Sequence, residues 1–338
     1  MKLALKPISE QTIVITGATS GIGLATARAA VARGARVALL GRNGVALQEL
    51  AAQLGGSARA VAVQGDVADV EALERLARVT IERFGGFDTW VNNAGVSIYG
   101  RLLDVEPGDH RRLFDTNFWG VVDGSRVAAT YLRRSGGAII NIGSTLSDRA
   151  IPLQGMYCAS KHAVKGFTDA LRMELEEEGA PVSVTLVKPA AIATPYPQHA
   201  KNYLAKEPAN PPPHYAPEVV ARTILHCAEH PVRDVFAGGG GKVFSVLGHY
   251  APRLTDKLMQ HTLFAMQQAE RPAAPREHDG LREASSELRE RDESTGHVAE
   301  SSVYTVASLH PVLLAACIAG VGLALTSWGG RLRLSGPA

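Results

Sequence analysis

From residue 12 onward, short runs of apolar and β-branched residues alternate with longer stretches whose apolar positions recur every three or four residues. That alternation is the pattern of a parallel sheet joined by crossover helices. The short runs predict strands at 12–16, 36–40, 60–63, 89–91, 138–142, 182–187 and 234–236. Several are apolar throughout, as burial on both faces requires. The longer stretches predict helices at 22–33, 45–54, 69–84, 108–133, 155–178 and 217–229. Together they predict one doubly wound parallel α/β sheet, Rossmann-like, over residues 1–239.

Past residue 239 the pattern changes. Over 240–269, Leu254, Leu258, Met259, Leu263, Phe264 and Met266 form a helical stripe, which predicts a helical extension that packs into a core. From 270 to 308 the chain is polar, with nine acidic and five basic residues between 270 and 300 plus Pro272 and Pro275, and it reads as a disordered linker. Residues 309–330 are the candidate membrane helix. Within them, 311–330 contains 20 residues without Asp, Glu, Lys, Arg or His, enough for about 30 Å of helix, one hydrocarbon core. Gly320, Gly322, Thr326, Ser327, Gly329 and Gly330 weaken that signal, and Ala316, Gly320 and Ala324 offer a small-residue face for pairing two such helices. A packed core or dimer-interface helix is the alternative. The first ten residues carry no apolar run before Pro7, so no secretory signal is expected and the folded part is expected in the cytoplasm.

Composition narrows the function. Of 338 residues, 46% are hydrophobic and 20% charged, which excludes wholesale disorder. Lys plus Arg exceeds Asp plus Glu by only 35 − 33 = +2, so no nucleic-acid partner is implied. Three widely spaced cysteines, Cys158, Cys227 and Cys317, imply neither a disulfide framework nor a metal site.

The chemistry sits at strand ends. After the first strand, Gly17, Gly21 and Gly23 follow a G-x-x-x-G-x-G spacing, with Thr19, Ser20 and Ile22 between them, and lead directly into a helix. Glycine lets the backbone approach a pyrophosphate, and the free N–H groups of the helix start attract its charge. At the end of the second strand, Gly41 stands where an acidic residue would hold a ribose 2′-hydroxyl, and Arg42 follows. An arginine there pairs with a 2′-phosphate, which favours NADP over NAD. Asp66, after the third strand, is placed to accept from an adenine amino group or to cap the next helix. Asn93 and Ala94, within the Asn-Asn-Ala-Gly run ending the fourth strand, let a loop pass beneath a cofactor.

Tyr157 and Lys161 are four residues apart on one predicted helix and share a face. A neighbouring ammonium favours the phenolate and brings proton exchange towards physiological pH. Ser144, at the end of the fifth strand, is placed to hydrogen-bond a carbonyl oxygen as charge develops. With TGATSGIG at 16–23, NNAG at 92–95, Asn117, Ser144 and YCASK at 157–161, the chain resembles the short-chain dehydrogenase/reductase family over residues 12–239.

The resemblance implies that Asn117, Ser144, Tyr157 and Lys161 are catalytic, Asn117 fixing a proton-relay water. It implies that Lys161 also contacts the nicotinamide ribose, that Pro189 and Thr194 border the nicotinamide, and that the proline-rich stretch 193–217 covers the substrate. The expected Pro-Gly after the sixth strand is here Pro189-Ala190. The expected function is hydride transfer between NADP(H) and a carbonyl or alcohol, of an apolar substrate if the membrane helix is real, and family analogy adds a homo-oligomer. The rival readings are a non-catalytic NADP-binding sensor and a membrane-tethered scaffold.

Overall fold

The computed structural model describes residues 3–273, 279–284, 288–292 and 296–310. Seven strands form the central sheet: β1 (Thr12–Thr16), β2 (Arg36–Gly41), β3 (Ala60–Gln64), β4 (Thr89–Asn92), β6 (Gly137–Ile142), β7 (Val182–Pro189) and β12 (Asp234–Ala237). All neighbours are parallel. Every residue of β1 and β7 is buried, as in a parallel sheet covered by helices on both faces, including the polar Thr12, Thr16, Ser183, Thr185 and Lys188. The shorter strands β5 (Ile98–Tyr99), β8 (Ala191–Ile192), β9 (Lys201–Asn202), β10 (Lys206–Pro208), β11 (His214–Tyr215), β13 (Gln268–Pro272) and β14 (Val298–Ala299) make three small outlying sheets.

The strand order β12–β7–β6–β4–β1–β2–β3 reverses between β1 and β4. Loops leaving those two strands diverge, and a crevice opens at their carboxyl ends. Helices α1 (Gly21–Ala32), α2 (Gly44–Gln53), α3 (Val70–Phe84), α4 (Pro107–Phe114), α5 (Gly120–Ser135), α6 (Gly155–Glu177), the single turn α7 (Tyr196–His199) and α8 (Pro217–Glu229) complete the domain. Their ends follow local chemistry. The Asn43 side chain accepts from Ala46 N–H to start α2, Asp69 accepts from Glu71 N–H to start α3, and Gly85 at φ +83° ends α3.

The predicted helix at 108–133 is in fact α4 and α5 joined through a π-helical turn, Asp115–Trp119. Helical periodicity runs through such a turn, so the sequence does not announce it. In the extension, α9 (Gly239–Tyr250) precedes α10 (Pro252–Met266). The expected core stripe is only half right. Met259 and Leu263 are buried, but Leu254, Leu258 and Met266 are 69%, 51% and 39% exposed, because α10 leans on the domain along one narrow row.

Residues 270–308 also depart from the expected free linker. In its described parts β13 pairs with β10, β14 pairs with β11, and α11 (Val303–Leu309) packs on β12 and α8. Leu281 is fully buried beside Val96, Ile98, Val105 and Leu113. A polar average conceals these few docking residues. The apolar run 311–330 lies outside the described residues, among which no helix is long and apolar enough to cross a membrane.

Candidate active site

The glycine loop is welded to the loop after β4. Thr16 Oγ1 accepts from Asn93 N–H at 3.0 Å and Ala94 N–H at 3.1 Å, while Asn93 Nδ2 donates to the carbonyls of Thr16 and Gly17 at 2.9 and 3.2 Å. Gly17 and Gly21 have φ of +66° and +52°, the left-handed region that glycine enters freely. A Cβ at position 23 would lie 2.1 Å from the Gly17 carbonyl oxygen. These glycines therefore keep open a cradle, lined by Thr19, Ser20, Gly21 and Ile22, that continues to Gly41, Arg42 and Asp66. Its shape and backbone donors fit a dinucleotide's pyrophosphate.

At the far end of the cleft the predicted residues have partners within the chain. Arg42 donates from Nη2 to the Gly280 carbonyl at 2.6 Å and from Nη1 to the Leu281 carbonyl at 3.3 Å. Asp66 is ion-paired with Arg112 and accepts from Ala68 N–H, so Asp69, not Asp66, caps α3. Arg112 also donates from Nε to the Leu281 carbonyl at 3.2 Å. No local signal marks Arg112 in the sequence. It is tied to the cleft only through its ion pair with Asp66 and its bond to the Leu281 carbonyl, residues far from it in sequence.

Ser144, Tyr157 and Lys161 line a second cleft, which meets the first at Asn93, Gly95 and Thr194. Helix α6 carries Tyr157 and Lys161 on one face, with Lys161 Nζ 5.6 Å from the Tyr157 ring centroid. Lys161 is 3% exposed and donates to the Ile142 carbonyl at 2.8 Å. Burial pushes its ammonium down to about 8. Burial likewise pushes the Tyr157 phenol up to about 12, against the opposing effect of hydrogen bonds with Tyr196 and Ser144. The expected shift of the phenol towards neutrality is thus reversed here. Desolvation is the largest cause, and the hydrogen bonds with Tyr196 and Ser144 offset it only in part.

Asn117, on the π-helical turn, is fully buried. Its Oδ1 accepts from Val96 N–H at 2.8 Å and its Nδ2 donates to the Val96 carbonyl at 2.9 Å, fixing the loop beneath the cleft. Pro189 and Thr194 both line the Ser144 cleft. Its wall is largely apolar: Leu146, Ile151, Ile192, Met259 and Leu263, with Tyr196 stacked edge-on to Tyr157 at 5.6 Å between centroids.

Two polar networks that the sequence did not reveal, the first of them buried, hold these groups in place. Asn92 Nδ2 donates to Asn141 Oδ1 at 2.8 Å, Asn141 Nδ2 donates to Thr168 Oγ1 at 3.0 Å, and Trp90 Nε1 donates to Asn92 Oδ1 at 2.8 Å. The chain of bonds ties β4 and β6 to α6. Beside Ser144, Asp148 binds Lys165 Nζ at 2.6 Å, Lys188 Nζ at 3.2 Å and Ser245 Oγ at 3.0 Å. Burial would raise its pKa, but the hydrogen bond from Lys165 and the charge of Lys188 hold it below the usual carboxylate range. Asp148 thereby anchors α9 of the extension to the domain.

Residues 11–203 match the profile described as short chain dehydrogenase. The chain belongs to the short-chain dehydrogenase family. Within that family it is 46% identical to an uncharacterized oxidoreductase, YxnA, of Bacillus subtilis over 336 residues, 98% of this chain and 93% of that protein. The likeness therefore runs through the extension as well as the sheet. It is 37% identical to dehydrogenase/reductase SDR family member 7B of Bos taurus over 196 residues, 55% of this chain and 59% of the relative.

Two solved structures share the fold at 25% identity. A short-chain dehydrogenase/reductase of Burkholderia phymatum in complex with NAD has a TM-score of 0.65, covering 72% of this chain and 94% of that one. A short chain dehydrogenase of Burkholderia cenocepacia in complex with NADP has a TM-score of 0.64, covering 75% and 99%.

Proposed function

We propose that this short-chain dehydrogenase is an NADP(H)-dependent oxidoreductase of carbonyl and alcohol groups, with an apolar substrate. The observation that carries the reading is the meeting of the two clefts: the glycine cradle opens, through Asn93 and Gly95, onto Ser144, Tyr157 and Lys161 beneath an apolar wall. A nicotinamide cofactor bound along the cradle supplies or takes up the hydride at the substrate carbon. Gly17, Thr19, Ser20, Gly21, Ile22 and Gly23 hold its pyrophosphate, Asp66, Asn93 and Ala94 flank it, Pro189 and Thr194 border the nicotinamide, and Arg42 answers the 2′-phosphate.

Tyr157, kept neutral by burial, donates the proton from Oη to the substrate oxygen during reduction. Ser144 Oγ orients that oxygen, and the Lys161 ammonium steadies the phenolate left behind. Asn117 positions the loop at Val96 that carries the floor of the site. Leu146, Ile151, Met259 and Leu263 suit a hydrocarbon-like substrate and exclude water from the reacting centre.

The test is Tyr157→Phe, assayed with a panel of apolar ketones and alcohols. Turnover should fall by about 10²- to 10⁴-fold while NADPH affinity stays within a factor of about two. Retention of more than about a tenth of turnover would assign the proton to another group. A wild-type chain that binds NADPH tightly yet turns over nothing in the panel would favour the sensor reading.

Attachment to a membrane through 311–330 is the second part of the proposal. It rests on that uncharged run and on the exposed Val243, Val246, Leu247 and Leu254 of α9 and α10. Recovery of the full chain in the soluble fraction without detergent would refute it.

A further inference from the structure

The described residues of 279–292 lie across the mouth of the cradle, with Gly280 and Ala284 among its lining residues. Three of their carbonyl oxygens take up N–H groups of the cleft. Gly280 and Leu281 accept from Arg42, Leu281 also accepts from Arg112, and Arg289 accepts from the Gly21 N–H at 3.0 Å, at the first turn of α1. On the cofactor reading above, Gly21 belongs to the pyrophosphate cradle and Arg42 to its 2′ end, while Arg112 shares the Leu281 carbonyl with Arg42 and pairs with Asp66.

We propose that residues 279–284 and 288–292 form a strap that competes with the nicotinamide cofactor for its phosphate donors, NADP(H) more strongly than NAD(H). The inference rests on the cofactor reading above. Carbonyl oxygens and phosphate oxygens accept the same hydrogen bonds, so each such N–H serves one or the other. A phosphate makes the stronger, charge-assisted bond, whereas the strap benefits from being tethered to the same chain. Seating the strap and binding the cofactor therefore oppose each other. The opposition is greater for a 2′-phosphate, because the Arg42 guanidinium must first release Gly280 and Leu281.

The strap's described anchors include Leu288, packed partly buried against the core, Asp292 N–H donating to the Ala193 carbonyl at 3.2 Å, and Arg291 paired with Glu218 and Glu300 at 2.7 Å. None belongs to the pairing between strands of the central sheet, so release is compatible with an intact sheet. Leu281 is its one fully buried side chain, and Gly280 N–H donates to the His199 carbonyl at 2.8 Å. Arg282 pairs with Asp109, Asp279 with Lys201 at 2.8 Å and Glu290 with Arg28 at 2.5 Å, and in each pair at least one side chain is a third or more exposed. Exposed ion pairs contribute little to holding a segment down.

Position 280 offers a minimal perturbation. A Cβ there would lie 2.4 Å from the His199 carbonyl oxygen, so Gly280→Ala should lift the strap without touching the sheet. Leu281→Glu, which would bury a carboxylate among apolar side chains, is the independent second variant. Full-length wild type and both variants are titrated with NADPH and with NADH by fluorescence, and trypsin cleavage after Arg282, Arg289 and Arg291 is mapped by mass spectrometry.

In the variants those arginines should be cut early, NADPH should bind about ten-fold more tightly, and NADH only about two- to three-fold, through Gly21 alone. In wild type, saturating NADPH should expose the same arginines. Variants that are cut early but bind NADPH no tighter overturn the competition, as does protection of the arginines by NADPH. Variants that stay uncut overturn the assignment of Gly280 and Leu281 as anchors. Failure of wild type and both variants to bind either cofactor would instead refute the cofactor reading.

Discussion

Asn117→Ala isolates what one buried amide does for this site. The wild-type side chain forms a two-point clamp on Val96, accepting from its N–H at 2.8 Å and donating to its carbonyl at 2.9 Å. Asn117 is fully buried and Val96 is 9% exposed, so truncation strands one donor and one acceptor away from bulk water. Each stranded group costs about 1–3 kcal/mol, and partial entry of water into the space left behind brings the sum to about 2–4 kcal/mol. The bond from Asn117 Nδ2 to Ser160 Oγ, at 3.3 Å, adds little because Ser160 donates to the Tyr157 carbonyl at 2.7 Å regardless. Urea unfolding followed by tryptophan fluorescence should show the lower midpoint at an unchanged slope. Turnover should fall with it, since Val96 and Gly95 floor the cofactor cleft. Asn117→Asp separates the bonds: it keeps an acceptor for the Val96 N–H but sets an oxygen against the Val96 carbonyl, and should be destabilised too. An alanine variant within about 0.5 kcal/mol of wild type would refute the clamp, and loss of turnover at unchanged stability would leave a relay role alone.

Gly23→Ala should weaken NADPH binding by at least about ten-fold with the far-ultraviolet spectrum intact, because the added methyl meets the Gly17 carbonyl and Asn93 Nδ2 at 2.1 and 2.6 Å; unchanged affinity would mean the loop yields freely. For the reductive direction, raising pH removes the Lys161 proton near 8 while Tyr157 keeps its own to about 12. Reductive kcat/KM should therefore be flat through neutrality and fall above about pH 8, and a rate that climbs through that range would contradict the assignment. Burial, helped by His230 and His310, lowers His226 from 6.5 to about 4. Between those values the unfolded chain binds a proton that the fold does not, so stability falls as pH drops from 6.5 to 4. His226→Asn should flatten that part of the Tm profile, and identical slopes for the two proteins would exclude His226 as the cause.

Much of the fold and the heart of the site were written locally. Strand β1 spans the predicted 12–16, and α8 spans the predicted 217–229, because burial on both faces of a sheet and on one face of a helix each impose a period that survives in the sequence. The glycine spacing and the Tyr157–Lys161 pair are local for the same reason: a turn and a helix face fix their geometry within a few residues. What only the tertiary structure decided depends on groups brought together from far apart. Arg42 reads from sequence as a phosphate ligand, yet its partners are carbonyls of residues 238 and 239 positions away. Arg112 and Asp66 meet across 46 positions, and Leu281 is buried although its neighbours in sequence are polar. Along α10 the apolar stripe looks uniform, and only the direction of its approach selects Met259 and Leu263 for the site and leaves Leu254 and Leu258 to solvent. Backbone periodicity is a property of consecutive residues, whereas desolvation and the pairing of charges are properties of whatever packs against them. The sequence therefore determined the scaffold and the groups proposed to react, and the packing of distant segments determined which of those groups are buried, paired or already engaged.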